Sequence, residues 1–330
     1  MDGHALDTSL DASREEAETI IYDVVENALQ KANLKPKDID VLIVNCSLFS
    51  PTPSLCASVI SKFQMRGDIL SYNLSGMGCG ASLLAMDLAR RVLQTRKYGG
   101  RAMFVSTEIA CSNLYHGNER SFLVQNTLFR LGGSAVVLSN RWSDGPRAWF
   151  KLLSTVRVQG TSEESYQCVY ESEDKEGNRG VRLSKDIVKV AGKTMEKNLM
   201  TLGPKVLPLS ELARIGISFG VRMTRKTLGL SRSKLYYPDF KRSIDHFCIH
   251  AGGKAVIDGI EKNLKLEKYH AEASRMTLYN FGNTSSSSVW YELEYIMEEQ
   301  ESNPLTKGHR VMQIGFGSGF KCTSGVWIRL

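Results

Sequence analysis

Three short segments recur in the same order in the two halves of the chain, and this repeat constrains the fold more than any other feature. Ile39-Asp40 matches Ile244-Asp245 at an offset of 205 residues, Tyr72-Asn73-Leu74 matches Tyr279-Asn280-Phe281 at 207, and Arg101-Ala102-Met103 matches Arg310-Val311-Met312 at 209. A near-constant offset in a chain of 330 residues implies a duplicated unit. Around the matches, short apolar or β-branched runs alternate with stretches of helical period, the pattern of a parallel or mixed α/β sheet. Strands are expected at 39–46, 69–74, 101–107 and 134–139, then at 149–158, 244–250, 276–281, 310–315 and 325–330. Helices are expected after a capping box at Ser13, at 55–65, behind Cys79, and at 184–202, 254–264 and 286–299, with a polar surface loop at 162–180. The halves divide as 1–148 and 149–330.

Within the first half, Ile69–Leu74 reads as a buried strand that enters Ser75-Gly-Met-Gly-Cys-Gly80. The glycines allow a tight turn and close approach of a ligand to the backbone. Ala81, Leu84, Leu88 and Val92 then recur at helical spacing. Cys79 therefore lies where a strand ends and a helix begins, and the positive end of a helix favours a thiolate. That geometry suits a nucleophile; a small buried Cys in a glycine turn is the plainer alternative.

The repeat also makes the loops after equivalent strands meet near a pseudo-two-fold axis. It brings Asn283 towards Cys79, with His250 nearby. His246, Cys248 and His250 share one face of a strand, which leaves three readings open: a metal site, a hydrogen-bonded pair of histidines, or a His250 that opens into a site before Ala251-Gly-Gly253. Asn283, ahead of Thr284 and four serines, reads as a loop or helix cap, or as a fixed hydrogen-bond donor to an oxyanion. Gly315, Gly317, Ser318 and Gly319 follow a strand and offer backbone N–H groups to an anion.

The bulk properties exclude some classes. Seven cysteines without paired spacing point to free thiols rather than a disulfide framework. No apolar run reaches the length of a membrane span, and Met1–Ala5 lacks the pattern of a secretory leader. The net charge of +7 is concentrated at 203–242, where nine Lys/Arg face two Asp/Glu among Leu, Ile, Val and Phe. A solvated face, a peripheral membrane contact and a site for phosphate-bearing ligands all fit this segment. Nucleic acid does not, since no nucleic-acid motif accompanies the charge.

MGCGASLLAMDLA, FCIHAGGKAVID, FGNTSSSSVWYEL and GFGSGFKC, together with PTPSLCA, DILSYNL, GNERSFLVQNTLFRLGG, LSKDI and TLGPKVLPLSE, resemble the plant 3-ketoacyl-CoA synthases. These are the condensing enzymes of very-long-chain fatty-acid elongation. The resemblance runs from about Ser13 to the C-terminus. It implies a thiolase-like α/β fold of two βαβαβαββ halves in five layers. By motif, Cys79 takes the place of the nucleophile, His250 and Asn283 those of the catalytic His and Asn, and His246 that of a second important His. Cys79 N–H and the loop of Gly315, Gly317, Ser318 and Gly319 are candidate oxyanion donors. The implied substrates are malonyl-CoA and a long-chain acyl-CoA, with no metal or other cofactor. The implied partners are a second synthase chain, in a homo- or heterodimer, and other elongase enzymes at the endoplasmic reticulum membrane.

The sequence departs from the family pattern in three places. Gln159 and Tyr279 stand where the family has His, and neither can take up a proton near neutral pH. The family's two N-terminal membrane helices precede the segment matched here. The first half also shows four strands against five in the second, so a partner of the 149–158 strand, inside the sheet, is expected to be missing before Ser13. The leading functional expectation is a malonyl-CoA-dependent condensing enzyme. The alternatives are a non-catalytic subunit of an elongase complex, motivated by Gln159 and Tyr279, and a type III polyketide synthase.

Overall fold

The computed structural model describes residues 7–109, 111–231 and 236–330. The chain runs through α1 (Leu10–Ala32), β1 (Val41–Asn45), α2 (Leu55–Lys62), β2 (Leu70–Leu74), α3 (Ala81–Gln94), β3 (Arg101–Glu108), α4 (Arg120–Leu128) and β4 (Gly132–Ser139). It continues through β5 (Phe150–Gln159), α5 (Glu163–Tyr166), β6 (Val169–Glu173), β7 (Arg179–Leu183), α6 (Ile187–Val206) and α7 (Leu209–Thr227). The last elements are β8 (His246–Ile249), α8 (Lys254–Leu264), α9 (Glu272–Phe281), α10 (Ser288–Glu298), β9 (Arg310–Gly317) and β10 (Lys321–Arg329).

Two four-stranded sheets result, ordered β2-β1-β3-β4 and β5-β10-β9-β8. In each, two neighbouring strands are parallel, β1 with β3 and β8 with β9, and the next strand returns antiparallel. Strand alternation sends side chains to both faces. Leu42, Val44, Met103 and Val105 pack under α1 and α2, while Val41, Ile43, Ala102 and Phe104 face α3 and α10 in the middle of the molecule. The far side of that central layer meets Cys248, Val311 and Trp327 of the second sheet. The opposite face of that sheet, with Phe247, Ile249, Met312 and Ile314, is covered by α6 and α8. The order is helix, sheet, helices, sheet, helix: the five expected layers of a thiolase-like α/β fold.

Two of the three matches mark equivalent places. Asp40 N–H donates to Arg101 O at 2.8 Å and Asp245 N–H to Arg310 O at 2.9 Å. The carboxylates reciprocate, accepting from Arg101 N–H at 2.8 Å and Arg310 N–H at 2.7 Å. The third match fails. Residues 276–281 are not a strand but the end of α9, in which Ala273, Ser274 and Thr277 are buried at helical spacing and Tyr279 points out. Gly282, at φ 69°, closes this helix by donating to Leu278 O.

The strand count changes accordingly. Among the described residues the second sheet has four strands, and its first, β5, lies at an edge and pairs with β10 alone. A first-half partner equivalent to β5 would likewise flank β4 at an edge rather than lie inside the sheet; residues 1–6 of the expected gap lie outside the described residues. Part of that edge is already served, since Gly133 N–H donates to Tyr291 Oη at 2.9 Å. Several local expectations also shift. Helix α1 starts earlier, capped by Ser9, and Ser13 is buried within it. Strand β2 is an exposed edge rather than a buried strand. Residues 162–180 are not a loop but α5, β6 and the start of β7, the last two strands forming a hairpin.

Candidate active site

The turn before α3 is built backbone to backbone. Gly76 and Gly78 both take φ 65°, and residues 78–80 form one 3-10 turn with Cys79 at its centre. A methyl group on Gly78 would lie 2.3 Å from Ser318 N, and one on Gly317 would lie 2.4 Å from Met77 O. Glycine on both sides thus lets the Cys79 turn sit directly on the end of β9. Gly315 and Gly317 belong to β9 itself, and Ser318, Gly319 and Phe320 form the turn into β10.

The serine run after α9 is buried, and it joins the two halves. Asn283 is held by its backbone to the end of α4, donating to Leu128 O and accepting from Arg130 N–H, both at 2.9 Å. Its Oδ1 accepts from Ser285 N–H at 2.9 Å, and its Nδ2 makes a long 3.4 Å contact with Gly252 O. Ser285, at φ 57°, presents its hydroxyl to Glu108 Oε2 at 3.1 Å and to Cys79. Ser286 donates to Asn45 Oδ1 at 2.9 Å. Ser288 Oγ lies 2.9 Å from His250 Nδ1 and donates its one proton to Ser285 O at 3.1 Å. With the Ser288 proton on Ser285 O, the imidazole proton is on Nδ1 and Nε2 is an acceptor beside Gly252.

Ser285 thus links Cys79 to Asn283, and its carbonyl accepts from Ser288, whose oxygen faces His250. Burial pushes the Cys79 thiol up to about 11; the Ser285 hydroxyl opposes this and the charge of Glu108 adds to it. Burial also holds His250 down at about 4. At rest Cys79 is a neutral thiol and His250 a neutral imidazole, not the thiolate that the helix end alone suggests.

Residues 2–226 match the sequence profile of the FAE1/type III polyketide synthase-like proteins, and residues 239–329 match the C-terminal domain of chalcone and stilbene synthases. The chain belongs to the FAE1/type III polyketide synthase-like family. Among curated relatives, it is 52% identical over 320 residues to 3-ketoacyl-CoA synthase 6 of Arabidopsis thaliana, covering 97% of this chain and 63% of the relative. It is 50% identical to 3-ketoacyl-CoA synthase 9 of the same plant, covering 97% and 61%. The chain thus spans a little under two thirds of the length of these relatives. Among solved structures, a fungal type III polyketide synthase, ORAS, aligns at TM-score 0.72 and 19% identity over 96% of this chain and 82% of its own. CsyB, solved with CoA-SH, aligns at TM-score 0.73 and 18% identity over 97% and 81%. At these identities the two structures speak for the fold.

In this family member His246 and Tyr279 lie apart from the cluster, whereas Gly315–Gly319 adjoin the Cys79 turn. His246 sits at the start of β8, four residues from His250 and so about 13 Å along the strand. There its Nε2 meets His309 Nδ1 at 3.0 Å and its Nδ1 faces Gln300 at 3.4 Å. Tyr279 is 85% exposed on the outer face of α9. Gln159, at the end of β5, is exposed and donates to Gly319 O, bracing the β9–β10 turn. Among the described residues, no group of three or more His, Cys, Asp or Glu is arranged to hold a metal ion. No described helix is long and apolar enough to cross a membrane.

Glu108 and Ser285 went unread in the sequence. Glu108 is buried at the end of β3, where it accepts from Leu48 N–H at 2.9 Å, Ser47 N–H at 3.2 Å and Cys46 Sγ at 3.3 Å as well as from Ser285. Burial raises its pKa despite these donors. The available signal was a lone carboxylate closing the apolar run Ala102–Val105.

Proposed function

We propose that this chain is the condensing core of a 3-ketoacyl-CoA synthase, joining malonyl-CoA to a long-chain acyl group held on Cys79 and releasing 3-oxoacyl-CoA and CO2. The observation that carries the reading is that Ser285 ties Cys79 to Asn283 directly and to His250 through Ser288. Relatives that are about half identical bear the name of that activity. A neighbour in fold was solved with CoA-SH, the carrier both substrates need.

The chemistry follows from the resting protonation. His250 Nε2 takes the Cys79 proton, so thiolate forms only as an ion pair beside the substrate. The sulfur attacks the acyl thioester carbon; the C–S bond to CoA breaks, and the departing CoA thiolate takes a proton from solvent. Malonyl-CoA then loses CO2, and the electron pair of the broken C–C bond becomes an enolate. Protonated His250 and the Asn283 amide donate to its oxygen, the amide giving up its long contact to Gly252 O. The enolate carbon attacks the acyl-enzyme. Cys79 leaves as thiolate and recovers its proton from His250. Backbone N–H groups of Cys79 and of the Gly317–Gly319 turn serve as further oxyanion donors in this reading. His246 acts from a distance, by steadying the start of β8. The halves 1–148 and 149–330 supply the nucleophile and the His-Asn pair respectively. A dimer, other elongase enzymes and the endoplasmic reticulum complete the proposed setting.

The test is incubation with labelled malonyl-CoA and a series of long-chain acyl-CoAs, with Cys79→Ala as control. Labelled 3-oxoacyl product that disappears with Cys79→Ala supports the reading. If neither product nor an acyl group on Cys79 forms, the condensing reading fails; binding of a catalytically competent family member would then favour the subunit reading.

A further inference from the structure

Helix α7 turns its uncharged face away from the protein. Its buried and half-buried positions are Glu211, Leu212, Ile215, Ser218, Arg222 and Arg225, which recur at the spacing of one helical side. This inner side is anchored by polar groups. Glu211, the one acidic residue of the helix, is fully buried and accepts from Tyr236 Oη at 2.7 Å and Asp239 N–H at 3.0 Å, with Arg214 and Arg242 beside it. On the outer arc Leu209 is 83% exposed and Ile217 67%, with Val221 and Met223 about half exposed. Ser210, Ala213, Gly216, Gly220 and Thr224 lie exposed between them. No charged residue falls on that arc; Arg214 and Lys226 border it on either side.

A surface helix ordinarily buries its apolar stripe and shows its charges to water. Here the arrangement is reversed, and four large apolar side chains exposed on one uncharged arc mark a contact surface. The charge around it selects the occupant. The described part of 203–242 carries Lys205, Arg214, Arg222, Arg225, Lys226, Lys241 and Arg242 against Glu211, which is buried, and Asp239. Two copies facing each other through this surface would oppose like charges. An anionic lipid surface meets both requirements, with acyl chains for the apolar arc and headgroups for its basic borders.

We propose that α7 docks this chain on an anionic phospholipid surface, inserting Leu209, Ile217, Val221 and Met223 while Arg214 and Lys226 lie at headgroup level. The contact is independent of the condensing reading, since it shares no residue with the Cys79 site. It also differs from a purely electrostatic contact of the basic segment, because Arg222 and Arg225 lie on the inner side of the helix.

The experiment is flotation of this chain with vesicles of phosphatidylcholine alone and of phosphatidylcholine with phosphatidylserine, at low and high salt. Wild type is expected to float with the anionic vesicles and to retain part of that binding at high salt. Ile217→Asp with Met223→Asp, both at exposed positions, is expected to lose binding by about tenfold or more, as apolar area is withheld from lipid. Its thermal unfolding should be unchanged. Arg214→Gln with Lys226→Gln should weaken binding at low salt only. In an Ile217→Trp variant, fluorescence emission should shift to the blue on anionic vesicles. The proposal is overturned if wild type floats with neither vesicle, if the double Asp variant floats as wild type does, or if that variant changes only the oligomeric state.

Discussion

The Ser285 hydroxyl lies 3.1 Å from Glu108 Oε2, joining residues 177 positions apart, and the same hydroxyl serves Cys79. The hydroxyl therefore donates to a carboxylate while it also bears on the ionisation of the Cys79 sulfur. The two neighbours act on Cys79 in opposite senses: the Ser285 hydrogen bond favours ionisation, and the Glu108 charge disfavours it.

Their removal should consequently shift the Cys79 thiol in opposite directions. Ser285→Ala is expected to raise its pKa by about one to two units, since a hydrogen bond to a charged group contributes about 1.5–3 kcal/mol and one unit is about 1.4 kcal/mol. Glu108→Gln is expected to lower it. The measurement is the rate of Cys79 alkylation against pH in a Cys111→Ser background, Cys111 being the other partly exposed cysteine. Shifts of the same sign in both variants would contradict the arrangement.

The glycine contact between the Cys79 turn and β9 makes a packing prediction. Gly317→Ala places a methyl 2.4 Å from Met77 O and 3.1 Å from Gly80 N, backbone atoms with no room to yield. It should cost about 1–3 kcal/mol of stability and slow Cys79 alkylation. Gly145→Ala, with nothing within 4 Å, is the control and should leave both unchanged. Equal melting temperatures for the two variants would show that the turn does not rest on β9.

Restoring the family's histidines should have unequal effects. Tyr279 is 85% exposed, so Tyr279→His is expected to change condensing activity by about twofold at most, as for an ordinary surface substitution. Gln159 braces the turn beside the Cys79 loop, and Gln159→His should alter turnover more. A larger effect at position 279 would mean that its face of α9 meets substrate or a partner.

His246 carries a prediction for stability against pH. Burial lowers its pKa from 6.5 to about 4 in the fold. The unfolded chain binds the proton first, so stability is full above pH 6.5 and falls as pH drops towards 4. By pH 5 this one residue accounts for about 2 kcal/mol of lost stability. Urea unfolding at pH 7 and pH 5 should therefore show a smaller loss in His246→Gln than in wild type, a comparison that cancels the other titrating groups. Equal losses would mean that His246 is not held neutral by the fold.

The parts of this protein that were legible in its sequence are those settled by near neighbours. Asp40 and Asp245 sit one residue before a parallel strand in each half, and two short matches sufficed to find them. The Cys79 turn announced itself by glycines that the local backbone requires. His250 and Asn283 were reached through the repeat, although the third match that supported it was false. Residues 276–281 satisfy a strand and a helix equally well as a short apolar run, and only the burial of Ala273 and Thr277 together decides for the helix.

What tertiary structure alone decided is which distant groups share a proton and which side of a helix faces water. Four serines in a row read locally as a loop or cap; packed between the sheets, they bind Asn45, Glu108 and His250. The neutral Cys79 thiol comes from burial by both halves, which outweighs the helix end that the local sequence shows. The period of α7 defines two sides without choosing between them. Glu211 makes the choice, because its partners Tyr236, Asp239 and Arg242 lie on a later segment folded against it, and a carboxylate taken out of water goes where its hydrogen bonds are.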